Sequence, residues 1–311
     1  MKKIGKLLFS STLLLSLFAC SPKKSDNIVK NKRTQDKQQF KKITMGYFPK
    51  SKVDIDVTTL DLPEYPEGYN NKEWKQICIW EFHGYSGWYY DKDIDSDGVS
   101  DYRVVYYLPE DAFIYPDEDF EAEINVFKFE PIEWDVLEEK DGKAIIITNN
   151  IIDYKPSTSY YYGSTAKYDS SDIRKWLNDD FYNTAFSNSE KEKITISHVS
   201  NGRDETCISD TQTSVTSCDD TDDKVYLLSY KEAITYYKNE TSRQAHETDY
   251  AKNFTIPASD GEIYLNYWRL RSSGWNFFNP ATVMDLGYIT NELFREDNCG
   301  IRPVMCIDLN N

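Results

Sequence analysis

The chain has 311 residues, a formal net charge of −16 and 15% aromatic residues, comprising 24 Tyr, 15 Phe and 7 Trp. That aromatic content fills a core of ordinary size, which excludes a wholly disordered chain. The acidic excess argues against nucleic acid as a partner, since a phosphate backbone would be repelled.

The first element reads as a secretion signal. Lys2, Lys3 and Lys6 form a charged start, the apolar run "LLFSSTLLLSLF" follows, and "LFAC" closes it. The apolar run is too short to cross a bilayer comfortably. Leu17, Ala19 and Cys20 resemble the lipobox of bacterial lipoproteins, which implies a lipoprotein signal peptide over 1–19 and lipidation of Cys20. An ordinary signal or a short anchor helix is the alternative. The expected location is extracytoplasmic, anchored to a bacterial membrane through acylated Cys20, either at the cell surface or on the periplasmic face.

Residues 20–42 hold eight Lys or Arg against Asp26 and Asp36 and are nearly free of aromatics. Such a stretch buries too little to fold, so it is read as a disordered basic linker suited to an anionic lipid surface. Residues 43–311 are expected to form a single α+β domain. Five cysteines follow Cys20 in an oxidising compartment. Cys207 and Cys218 flank "ISDTQTSVTS" and suit a loop staple; Cys299 and Cys306 either pair or leave Cys306 buried in a strand; the odd count leaves Cys78 as the first choice for an unpaired thiol.

Next comes "DIDSDGVSDYR". Asp93, Asp95 and Asp97 alternate ahead of Gly98, and the Val99 carbonyl and Asp101 carboxylate lie within reach, so these five are candidate calcium ligands. The twelfth position of an EF-hand loop, a bidentate Glu, is Val104 here, and a strand follows where a helix should. The run therefore resembles the short DxDxDG turns of dockerin and thrombospondin type repeats, with weak affinity expected. A solvated hairpin tip is the competing reading, since Asp, Ser and Gly are good turn formers.

Alternating apolar residues predict strands over 103–107, 124–129, 132–137, 143–148, 193–199, 224–229 and 302–307, with "EEKDGK" as a hairpin turn. Helices are predicted in "SSDIRKWLNDDFYNTAF", where Ile173, Trp176, Leu177 and Phe181 share a face, and in "SYKEAITYY", where Ser229 and Glu232 stand in capping-box spacing. The element order suits an α+β fold rather than alternating βαβ units. The tail from Asn253 to Asn298 mixes Gly, Pro, Asn and aromatics and is expected to be loop-rich.

The segments "FKFEPIEWDVLEEKDGKAIIIT", "SSDIRKWLNDDFYNTAF", "DKVYLLSYKEA", "YWRLRSSG" and "GIRPVMCIDL" resemble domain-of-unknown-function family 6273 over about residues 120–309. That family is similar to the formylglycine-generating enzymes and, more distantly, to C-type lectins. The resemblance implies a C-type-lectin-like domain with a twisted antiparallel sheet, two main helices and N- and C-terminal strands that meet. Formylglycine-generating enzymes hold copper with two nearby cysteines. The similar segment here, Tyr267–Trp275, contains none, so that activity is not expected. The EPN, QPD and WND tripeptides of calcium-dependent lectins do not occur.

No zinc-type HExxH spacing, phosphate loop or nucleophile elbow is present, and no catalytic residue is nominated. Candidate ligand contacts are Trp268, Arg269, Arg271, Trp275, Asn276, Phe277 and Asn279, because flat aromatics beside Arg and Asn suit sugar stacking or a protein hot spot. Against this stands the commoner use of such rings and cations to pin loops and strands. The leading expectation is a non-catalytic binding module for a glycan, peptide or protein ligand, with calcium as the one cofactor considered. The alternatives are an enzyme acting on envelope material through an unidentified carboxylate site, or a structural envelope lipoprotein.

Overall fold

The structure, a computed structural model, describes residues 36–66, 73–77, 85–109, 122–157, 167–203, 217–255, 265–274, 279–291 and 298–311. The chain divides into two units, Met1–Thr34 and Gln35–Asn311, and the described residues all belong to the second. Its strands, in chain order, are β1 (Lys42–Val53), β2 (Lys75–Ile77), β3 (Tyr85–Lys92), β4 (Tyr102–Pro109), β5 (Glu123–Lys140), β6 (Lys143–Thr148), β7 (Asp153–Lys155), β8 (Ile194–Thr195), β9 (Ser197–Val199), β10 (Thr221–Asp223), β11 (Val225–Tyr226), β12 (Trp268–Ser273), β13 (Pro280–Val283), β14 (Ile289–Thr290), β15 (Cys299–Ile301) and β16 (Val304–Asp308). The fold is sheet-rich, with a few short helices, in keeping with the α+β expectation.

β5 is the spine of a nine-stranded antiparallel sheet ordered β11-β16-β6-β5-β4-β3-β2. One edge pairs with β1 from Val126 to Asp135; the other pairs with β4 up to Lys128 and with β6 from Trp134 onward. Pro131 stands between those two partners, on a stretch where only β1 pairs with β5. A residue without an N–H is tolerated there because no ladder bond is required of it on the other edge. The sequence reading split this strand into 124–129 and 132–137 at the proline; the chain instead runs through it as one strand.

Opposite Pro131, β1 bulges at Gly46, whose φ of 73° is open to glycine at little cost. The Gly46 N–H donates to Glu190 Oε1, and a Cβ would stand 2.7 Å from the Ala185 carbonyl oxygen. The bulge aims the Met45 carbonyl at the buried indole N–H of Trp134, 2.8 Å away. The β5–β6 hairpin turns on Asp141 and Gly142, both at positive φ, as "EEKDGK" predicts. β1 and β16 share the sheet without pairing, since β5 and β6 lie between them, so the expected meeting of terminal strands does not occur.

A second sheet is ordered β14-β13-β12-β15-β7, with β12 and β15 parallel, and β9 and β10 form a separate pair. Between β7 and β8, α1 (Asp172–Trp176) passes through a π turn (Leu177–Phe181) into α2 (Tyr182–Ala185), and α3 (Asn188–Lys191) follows. Ser171 caps α1, and Ile173, Leu177 and Phe181 are buried as predicted, while Trp176 is half-buried. α4 (Tyr230–Tyr236) carries the predicted Ser229–Glu232 capping box; α5 (Glu240–Arg243) and α6 (Asp249–Lys252) are single turns.

The predicted strand 193–199 breaks at exposed Ile196 into β8 and β9. The one predicted over 224–229 shrinks to β11, because Ser229 is already committed as a helix cap. The main core runs from Phe48, Phe127 and Trp134 to Tyr250 and Trp268. A smaller one gathers Leu60, Trp74, Trp88, Val104, Tyr106 and Val126.

Candidate functional site

The β3–β4 hairpin carries the acidic run at its tip. Pairing of Asp91 with Arg103 and Lys92 with Tyr102 closes the ladder, and Asp93 to Asp101 make the turn, with Ser96 and Gly98 at positive φ. Each carboxylate takes backbone N–H groups. Asp93 Oδ1 accepts from Ser96 and Oδ2 from Gly98, Asp95 from Asp97, Asp97 from Val99, and Asp101 Oδ2 from Ile94, at 2.8–3.3 Å.

These bonds draw one oxygen each of Asp93, Asp95 and Asp101 to within 4.8 Å of one another. Oxygens bound to calcium at about 2.4 Å lie at most about 4.8 Å apart, so the spacing fits one coordination sphere. An ionised carboxylate has about four lone-pair positions, so accepting one or two N–H bonds leaves room for a cation. Asp97 is not in the cluster; its Oδ1 is turned to the Val99 N–H. Val99 is partly exposed. Among the described residues no ion pair reaches Asp93, Asp95, Asp97 or Asp101, so the three clustered charges face each other without a protein cation.

The loop stands on a firm base. Asp101 donates its N–H to the Lys92 carbonyl and accepts from Phe129 on β5, both at 2.8 Å. Two residues on, Arg103 is buried with Nε and Nη2 on the two Asp91 oxygens, at 2.6 and 2.7 Å, and Nη1 on the Tyr250 hydroxyl at 2.8 Å. Its guanidinium lies 4.1 Å from the centre of the Tyr89 ring, a cation–π contact. Burial opposes the Arg103 charge, and Asp91 more than restores it, holding the group well above its ordinary value. Burial likewise raises the phenols of Tyr89 and Tyr250.

The tail residues behave differently from the expected platform. Trp268, Arg269, Arg271 and Asn279 are all buried; Trp275, Asn276 and Phe277 lie outside the described residues. Trp268 donates its indole N–H to the Arg243 carbonyl and has the Arg302 guanidinium 4.8 Å from its ring. Arg271 binds both oxygens of Glu232 and the carbonyls of Leu227 and Ser200, and donates to Asn201 Oδ1. Burial works against its charge, and Glu232 reverses the balance, raising its proton affinity. Glu232 also caps α4, so one carboxylate fastens helix to strand. Arg302 reaches the Thr148 carbonyl and Asp135. Arg271 and Arg302 thus tie strands to carboxylates, and Trp268, Arg269, Arg271 and Asn279 are buried rather than displayed on an open surface platform.

Of the remaining candidates, Cys20, Cys78 and Cys207 lie outside the described residues, and Cys218 is half-buried. Cys306 carries a free thiol on β16, so the Cys299–Cys306 pairing is not made. His198, on β9, is exposed at the surface between Asp222 and Asp220, with its ring nitrogens 3.0 and 3.6 Å from them.

The chain belongs to domain-of-unknown-function family DUF6273, whose model matches residues 141–309. No curated protein and no solved structure matches the chain. The match begins at the β5–β6 turn and takes in the Arg271–Glu232 junction. The acidic hairpin and the β5 spine precede it, so the expected span of about 120–309 shortens at its start.

Proposed function

We propose that the protein is a membrane-tethered extracytoplasmic lipoprotein, acylated at Cys20, whose domain is a non-catalytic, C-type-lectin-like binding module that holds calcium on its β3–β4 hairpin. The observation that carries the calcium part is the convergence of Asp93, Asp95 and Asp101, one carboxylate oxygen each within 4.8 Å of the others, with no ion pair to them among the described residues. The tether rests on the lipobox-like "LFAC" and the basic segment behind it. The ligand is a glycan, a peptide or a protein. Calcium bridging the three carboxylates would stiffen the tip, where Ile94 and Val99 are exposed.

Titration of the purified protein with calcium tests this. A rise in melting temperature at millimolar calcium, abolished by Asp95→Ala, is expected, since three carboxylates without a bidentate Glu bind weakly. A melting temperature indifferent to calcium would reduce the loop to a turn. A glycan array probed with the calcium-loaded protein then separates sugar ligands from peptide or protein ones.

A further inference from the structure

The chain enters the domain by a path that the linker reading to residue 42 misses, because residues 36–41 are tied down. The Gln38 N–H donates to Ser242 Oγ at 2.8 Å. Its side-chain amide is held at both ends, Nε2 donating to the Tyr236 carbonyl and Oε1 accepting from the Lys238 N–H, at 3.2 and 3.0 Å. The Gln38 side chain thereby bridges the backbone between the end of α4 and the start of α5. Asn239 Nδ2 donates to the Asp36 carbonyl and Lys37 Nζ to that of Gln244, each at 3.3 Å. Phe40 meets the buried Tyr237 ring edge-on at 5.5 Å, and the Lys41 carbonyl accepts from Val136, extending the β1–β5 ladder by one bond. Burial, and then Arg302, hold the Lys37 ammonium below its ordinary value, with Asp135 opposing them.

We propose that residues 36–41 are a strap that, seated on the α4–α5 corner, fixes where the membrane tether leaves the domain and limits its length. This rests on the lipid-tether reading. With the strap seated, the tether between Cys20 and the domain is at most 21–35, 15 residues; unseated, it is at most 21–41, 21 residues. Fully extended, these lengths span about 50 Å and about 70 Å. The seat is built from exposed or half-buried hydrogen bonds and one ring contact, each of modest net worth, and ordering six residues opposes them. The two states are thus close in free energy, unlike the deep core that holds β1 immediately downstream. Lys37 and Lys41 lie inside the strap, which makes its seating readable by a lysine-specific protease.

The test uses the full acylated chain in detergent micelles, with cleavage after Lys37 and Lys41 followed by mass spectrometry and compared with the same chain unfolded in urea. Native cleavage at both sites is expected to be at least about tenfold slower. Gln38→Ala and Ser242→Ala are each expected to remove most of that protection while leaving the global unfolding midpoint almost unchanged. Equal native and unfolded rates, or protection indifferent to both substitutions, would overturn the strap. The mass of the N-terminal peptide reads Cys20 acylation in the same sample. Protection on a chain whose Cys20 carries no lipid overturns the tether reading and the length-setting role with it; lost protection on an acylated chain overturns the strap alone.

Discussion

Replacing Arg103 by Met removes a guanidinium whose side chain is 4% exposed from a partner, Asp91, whose side chain is 16% exposed. Methionine is apolar and of similar length, but it loses the guanidinium's contacts with the Tyr89, Phe48 and Phe129 rings and leaves the Asp91 carboxylate without its bidentate donor and the Tyr250 hydroxyl without Nη1. Breaking a buried pair from one side costs about 3–5 kcal/mol; because water still reaches Asp91, the lower end applies, about 3 kcal/mol. Most of that cost is the stranded charge rather than the lost attraction. The double variant Arg103→Met/Asp91→Leu is therefore expected to recover all but about 1 kcal/mol, the remainder being the Tyr250 hydroxyl. Urea unfolding of wild type, both singles and the double, with midpoints converted at a common slope, gives the cycle. A single costing under about 1 kcal/mol, or a double no better than Arg103→Met, refutes the assignment of this pair as the anchor of the hairpin.

Gly46→Ala combines a positive φ with a Cβ 2.7 Å from the Ala185 carbonyl oxygen and from the Phe186 ring, so a loss of about 2–4 kcal/mol is expected by urea melt. Gly98→Ala, at φ 90° but with nothing within 4 Å of the new Cβ, is expected to cost about half as much; equal costs would show that crowding at Gly46 is not felt. The His198 imidazole is raised above its ordinary 6.5, first by its hydrogen bond to Asp222 and, among the smaller causes, by Asp220, while desolvation works the other way. Its charged form is thus favoured in the fold, and the contribution is fully present below 6.5 and is lost as pH rises through the raised value. An NMR titration of His198 checks this: Asp222→Ala is expected to lower the midpoint, and an unshifted midpoint counts against the pairing.

The local chemistry of the fold was legible. Ser171 and Ser229 cap helices where hydroxyl and backbone N–H spacing allows it, and Asp141–Gly142 turns the hairpin that its two positive φ angles require. What was hidden depends on partners distant in sequence. Whether Pro131 breaks a strand is decided by which edge of β5 is unpaired there, a fact supplied by β1, β4 and β6 together. Residues 36–41 read as linker because their polarity was scored against solvent; Gln38 instead satisfies backbone groups about 200 positions away.

The same reasoning separates the two candidate sites. In "YWRLRSSG" every second residue faces the same way, so a strand of mixed aromatics and arginines leaves open whether the cations face water or core. The answer for Arg271 lies with Glu232, whose carboxylate comes from another element and allows the arginine to be buried as a charge, as Asp135 does for Arg302 farther along the chain. In "DIDSDGVSDYR" the converging groups are neighbours in sequence, and backbone N–H groups of the same turn bind their carboxylates, so the pattern of residues already contained most of the geometry. Asp97 shows the limit of that local reading. Alternation alone nominates it equally with Asp93 and Asp95, but its Oδ1 is committed to the Val99 N–H, and Asp101, fixed by its hydrogen bonds to Lys92 and Phe129, stands in its place. The third carboxylate of the cluster thus comes from the last residue of the turn, directly before β4, and the backbone bond from Phe129 to the Asp101 carbonyl couples the site to β5.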